Sequence, residues 1–205
     1  DSVRSVHQHV GQQHAELTLP TLSRLLQEQG IGLDAVDAIA FGNGPGAFTG
    51  LRVACGVAQG LAVAADLPVL PVVSLEAMAA ASDAENVLSL LDARMHEVYC
   101  AYYRRAAADD YQLLGDIHVL PPQAVGLPAG TGAACGNALR AYPELQQRIA
   151  GLLQQAKNEQ GPAASWLGVR MSGSTPSISS SCCSTESRVD ALTSLSLMRT
   201  LLLAV

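Results

Sequence analysis

The chain has 205 residues, with 12 lysines and arginines against 18 aspartates and glutamates, a formal charge of −6, and a single lysine, Lys157. That balance excludes a single-sign basic field and disfavours nucleic-acid binding by charge neutralisation, and no apolar stretch reaches the about 20 residues that crossing a bilayer takes. Since 49% of the residues are apolar but only 4% aromatic, the core must come from Ala, Val and Leu. Such a core suits helices packed closely on a sheet, in one compact domain or two small lobes.

In chain order, residues 11–29 space Leu19, Leu22, Leu25 and Leu26 as a helix carries them, with Pro20 as a kink and Gly30 as the stop. Val36–Phe41 reads as a strand that ends in a glycine-rich turn, and Thr49–Ala65 carries Leu51, Ala54, Val57, Ala58, Leu61 and Ala65 at helical intervals. Pro68–Val73 reads as a strand with Pro71 at its edge or end, followed by a short helix, Leu75–Ala81, behind Ser74 as N-cap. Val87–Leu91 and Val98–Arg104 predict a hairpin that opens a second lobe. Ala133–Cys135 turns through Gly136 and Asn137 into a helix, and Leu145–Gln155 is a further helix. Ser172–Ser187 is serine-rich with no apolar period and reads as disordered. Leu192–Val205 is apolar enough for a helix, as a tail of no native fold. The expected division is therefore 1–85 as an α/β lobe with the glycine loop, 86–157 as a smaller lobe, and 158–205 as a low-complexity tail.

Cys55, Cys100, Cys135, Cys182 and Cys183 show no C-x-x-C spacing, and an odd number cannot all pair within one chain, so a reducing cytoplasm is the simplest setting. The first three sit among small apolar residues and read as small hydrophobes. The chain opens at Asp1 without an initiator Met or a signal-peptide pattern, which leads us to expect a fragment or a processed chain.

The densest chemical feature is GNGPGAFTGLRVACGVAQGLAVA at 42–64. Gly44 and Gly46 permit the positive φ and close backbone approach of a strand-to-helix turn, and the amides near Thr49 could hold an anion. The Lys-Ser/Thr pair of a phosphate loop is missing and Ala47 stands where a third glycine would be, so a structural turn and a nucleotide site both stay open. His7, His9 and His14 lack the spacing that stacks two ligands on one helix face, and no nucleophile elbow surrounds any serine. Asp92, Arg94 and Glu97 form a charged turn, either a small-molecule contact or a solvated hairpin tip.

GNGPGAFTGLRVACGVAQGLA at 42–62, PVLPVVSLEAMA at 68–79 and LLDARMHEVYCAYY at 90–103 resemble the TsaB family, also called YeaZ, as do QQHAELTLPTLSRLL at 12–26 and GNALRAYPEL at 136–145. The resemblance implies an α/β, actin-like, sugar-kinase-like fold of two lobes, here without the family's first strands, which carry an Asp-Thr-Ser turn, and with an aberrant C-terminal tail. It implies a non-catalytic scaffold subunit of the tRNA threonylcarbamoyladenosine machinery in the cytoplasm. That subunit docks on the catalytic subunit TsaD, and the pair recruits the ATPase TsaE. A homodimer is a further possibility, tRNA is contacted only indirectly, and no membrane is involved.

In TsaD-like sequences a His-x-x-x-His pair binds the catalytic metal. Ser74 and Met78 stand at those two places, and neither replaces a neutral imidazole at a hard or borderline ion. No metal and no cofactor are expected. The interface would fall on the helices flanking the glycine loop, at Leu22, Leu26, Leu51, Ala54, Ala58 and Leu61. The alternatives are a metal-dependent glycopeptidase-like or ATP-using enzyme of the same fold, or a fold remnant.

Overall fold

The computed structural model describes residues 5, 6, 8, 13–107, 110–159 and 200–203. They form two compact units, one built on residues up to Ala77 together with 200–203, the other on the described residues from Met78 onward.

In the first unit, α1 (His14–Glu28) runs through Pro20, and Gly30 ends it in the left-handed region at φ 65°. Its Leu22 packs with Val36, Ile39, Ala58 and Ala62, and Leu26 and Leu61 lie partly buried against that cluster. β1 (Ala38–Gly44) feeds α2 (Phe48–Ala65), which is closed by Asp66 at φ 52° and followed by β2 (Val69–Val73), parallel to β1 with Ile39 opposite Val69. Pro71 lies on β2, the edge strand of this sheet among the described residues, where a missing N–H costs no ladder bond. The other side of β1 is taken by β8 (Thr200–Leu203), parallel, with Ala38 opposite Thr200. A strand therefore stands at 200–203, where the sequence suggested a helix or a structureless tail; the serine-rich stretch lies outside the described residues. By length and composition alone α2 could cross a membrane, a test that core helices of globular proteins also pass, and its Gly50–Ala54–Ala58–Ala62 stripe is buried.

α3 (Ser74–Ala81) leads into the second unit. There β3 (Asn86–Arg94) and β4 (Glu97–Arg105) form an antiparallel hairpin, longer than the sequence pattern suggested. β5 (Tyr111–Leu113) and β6 (His118–Leu120) both pair antiparallel with β4, and β7 (Ala133–Cys135) pairs parallel with β3. α4 (Ala138–Ala141) and α5 (Pro143–Glu159) cover one sheet face. Alternate strand residues Leu88 and Leu90, with Val98 and Cys100, meet Leu145, Ile149 and Leu153, spaced four apart on α5. Burial pushes the Cys100 thiol pKa up, consistent with a cysteine that acts as core.

Gly136, at φ 121°, closes β7 onto β3 so tightly that a Cβ there would lie 1.9 Å from the Leu90 carbonyl oxygen. The Arg148 guanidinium ties α5 to a 3-10 turn by donating to the carbonyls of Pro122 (2.5 Å), Val125 (2.9 Å) and Gln123. The two units meet in sequence at Ala77 and Met78, inside α3, eight residues before the boundary expected at 85/86.

Candidate functional site

β1 delivers Gly44, buried and at φ 91°, to the start of α2. A Cβ at Gly44 would stand 3.0 Å from Leu51 Cδ1, so the packing of Leu51 against the turn accounts for this glycine without any ligand. Gly46 and Thr49 are exposed beside it. The N-cap position, Ala47, supplies no side-chain hydrogen bond to the first turn of α2.

The six residues expected at an interface divide by burial. Leu22, Ala54 and Ala58 are 8%, 1% and 1% exposed and lie inside the protein, so their side chains offer no free docking surface. Leu26, Leu51 and Leu61 are half-buried. The physical reason is helix periodicity: 50, 54, 58 and 62 recur every four residues on one face, and the sheet claims that face because alanine and glycine let β1 approach closely. The outward face of α2 carries residues that the sequence reading passed over, Phe48 (67% exposed), Arg52, Gln59 and Val63 (86% exposed). Arg52 stacks its guanidinium 3.7 Å from the Phe48 ring centroid, a cation–π pair displayed to solvent. The signal was present in the spacing of 48, 52, 59 and 63, which also fit one helix face.

Ser74 and Met78 sit one turn apart on α3, the separation of a helical ligand pair. Ser74 begins the helix half-buried. Met78 is fully buried, its carbonyl accepting from Cys135 Sγ at 3.6 Å and its Cε lying 2.5 Å from where a Gly136 Cβ would be. A hydroxyl and a core thioether do not fit a hard or borderline divalent ion. Among the described residues no group of three or more His, Cys, Asp or Glu has the arrangement to hold a metal.

The second polar concentration lies at the tip of the β3–β4 hairpin. Arg94, Met95 and His96 take φ of 66°, 51° and 60°, three consecutive non-glycine residues in the left-handed region, each of which costs on the order of 1 kcal/mol or more. A polar frame holds them there. Asp92 N–H donates to Asn137 Oδ1 (2.8 Å), and Asp92 Oδ1 accepts from Arg94 N–H (2.9 Å) and from the Tyr142 hydroxyl (2.9 Å). The Tyr142 phenol is pushed above its usual pKa, by lost hydration first and then by the Asp92 carboxylate beside it. The sequence reading found Asp92, Arg94 and Glu97; it missed Asn137 and Tyr142, which arrive from α4 and its flanks, some 45 and 50 residues along the chain.

Residues 5–187 match the family model described as TsaD, tRNA N6-adenosine threonylcarbamoyltransferase. The chain belongs to this TsaD family. It is 54% identical over 90 residues to the Haemophilus influenzae tRNA threonylcarbamoyladenosine biosynthesis protein TsaB, a match covering 42% of this chain and 38% of that protein. To the Escherichia coli TsaB it is 36% identical over 141 residues, 65% of this chain and 61% of that one. Among solved structures it resembles YeaZ from Pseudomonas aeruginosa, with a TM-score of 0.59 and 44% identity over 64% of this chain and 65% of that one. A second, described as an uncharacterised protein with similarity to peptidase YeaZ from Pseudomonas aeruginosa, gives a TM-score of 0.55 and 46% identity over 60% of this chain and 59% of that one. The chain thus spans less than two thirds of the length of each of these relatives. The resemblance to TsaB and YeaZ holds, and with it the actin-like, sugar-kinase-like α/β fold.

Proposed function

We propose that this chain is a non-catalytic scaffold subunit in tRNA threonylcarbamoyladenosine biosynthesis, acting in the cytoplasm by docking on a TsaD-family catalytic subunit. The observation that carries the reading is the outward face of α2, where Phe48 and Val63 stand in solvent on a helix whose other face is buried. Interfaces draw on exposed aromatic, aliphatic and arginine side chains of this kind, and Leu19 of α1, 48% exposed, adds to the apolar surface of the same unit. The donor set at Ser74 and Met78 supports a subunit without its own transfer chemistry. The TsaE-like ATPase joins through the complex, tRNA is reached through the catalytic subunit, and self-association occupies the same helical face when that subunit is absent.

Titration of a TsaD-family subunit into the purified chain by calorimetry tests the reading. We expect a one-to-one complex that Val63→Asp weakens at least tenfold, and no binding by the unmodified chain would overturn it. The similarity of one solved relative to a peptidase motivates a second reading, an enzyme of the same fold. Hydrolysis of a protein substrate by the chain alone, abolished by substitution at Ser74, would favour it.

A further inference from the structure

The flank of β1 that faces away from β2 carries a backbone requirement of its own. Ala38, Ile39 and Ala40 are fully buried, so each N–H and C=O on them needs a partner or costs the free energy of an unmade bond away from water. Along a strand that is paired on both sides, successive residues turn these groups to alternate sides. The Ile39 N–H donates to the Pro68 carbonyl at 3.0 Å, on the β2 side. The amide groups of Ala38 and Ala40 therefore face the opposite side, where β8 runs parallel with Ala38 opposite Thr200 and Ala40 opposite Leu202. In a parallel ladder of that register the N–H groups that β8 turns towards β1 are those of Leu201 and Leu203, and that of Leu202 points away. β8 is also the slighter of the two neighbours of β1, paired over four residues against five for β2, and among the described residues it has no strand on its other side. A short strand bonded on one side only opens more readily than the strand it covers.

We propose that this flank of β1 is an acceptor site for an extended apolar peptide segment bound in parallel register, and that residues 200–203 are its own detachable occupant. Recognition is by strand addition: main-chain bonds to the Ala38 and Ala40 amide groups supply the affinity, and the buried surroundings of β1 select an uncharged segment. The run Thr200, Leu201, Leu202, Leu203 meets that requirement, with three apolar residues and no charge. While it is in place the edge is closed to other chains; once it leaves, the edge is open to a segment of the same chemistry. The site is separate from the outward face of α2 and does not depend on docking there.

Native-state hydrogen exchange of the full chain, read amide by amide, tests this. Leu201→Pro removes an N–H that faces β1 and should speed exchange at Ala38 and Ala40 about tenfold or more, while Ile39, bonded to Pro68, stays within about threefold of the unmodified chain. Leu202→Pro, at the N–H that points away, should leave all three within about threefold. A peptide carrying residues 198–205 between added lysines, titrated into the Leu201→Pro chain, should restore slow exchange at Ala38 and Ala40, and the same peptide with proline in place of Leu201 should not. Equal exchange in the two proline variants, or no restoration by the first peptide, would overturn the acceptor site. Fast exchange at Ile39 together with Ala38 and Ala40 in Leu201→Pro would make residues 200–203 an inseparable part of the core and overturn their detachment. Slowing of exchange in the unmodified chain as its concentration rises from about 10 to about 500 μM would assign the occupant to a second copy and overturn its place in the same chain.

Discussion

The two units differ in the side chains that pack a helix on the sheet. In the second, large side chains are spent inward: Leu88, Leu90, Val98, Leu139, Leu145 and Ile149 fill one sheet face beneath α5, and the polar groups Asp92, Asn137 and Tyr142 brace the end of the hairpin. In the first, the helix that packs on the sheet does so through Gly50, Ala54, Ala58 and Ala62, and its bulky residues Phe48 and Val63 point to water. Small residues inward allow the backbones of β1 and α2 to approach, but they bury little area per residue, at about 25 cal/mol per Å². Among the described residues this helix face therefore contributes little burial per residue, while Phe48 and Val63 are exposed. Apolar composition alone does not distinguish a core from a contact surface; the burial of each face does.

The sharpest way to break this contrast is at Gly136. Gly136→Ala places a Cβ against the Leu90 carbonyl at a φ only glycine tolerates, and we expect a loss of at least about 4 kcal/mol, read as loss of the cooperative unfolding transition of residues 78–159. Next come paired cavities. Ile149→Ala in the second unit should cost about 4 kcal/mol by chemical denaturation and Leu22→Ala in the first nearer 2, because Leu22 keeps 8% exposure where Ile149 keeps none; equal losses would show the two cores to be alike.

A smaller effect is set by pH. The Tyr111 hydroxyl donates to the Ala84 carbonyl (2.7 Å) and accepts from Arg105, which also pairs with Asp83. Burial raises the Tyr111 pKa, and the Arg105 hydrogen bond and charge only partly offset it. The folded state thus holds the phenol proton more tightly than the unfolded chain. The resulting stabilisation is complete below the ordinary tyrosine value of about 10 and is lost as pH rises through the higher folded value. Denaturant midpoints measured from pH 8 to 11 should decline above about pH 10 in the wild type and less steeply in Tyr111→Phe. Least of all, Val63→Asp should change stability by no more than about 0.5 kcal/mol, as an exposed site does, while removing the apolar contact that the proposed docking uses.

Much of the framework could be read from local pattern. The strand, glycine turn and helix at 38–65, the β2 edge with Pro71 and the hairpin at 86–105 follow from period, turn residues and proline chemistry that act within a few residues. β5 and β6 escaped notice because each is three residues long and owes its conformation to β4 rather than to its own sequence. Of the residues expected at an interface, Leu22, Ala54 and Ala58 are buried within the protein, because an apolar helix stripe shows that a face will be buried without showing what buries it.

The sequence by itself determined the family, the order of the longer elements from α1 to β4 and the absence of an imidazole pair at 74 and 78, since these are facts of residue type and spacing. Only the tertiary structure decided which face of α2 meets the sheet, that a strand at 200–203 lies along β1, and that Asn137 and Tyr142 lock a strained tip at Asp92. Those outcomes depend on contacts between residues far apart in the chain, where the winning arrangement is the one that satisfies backbone pairing and close packing together.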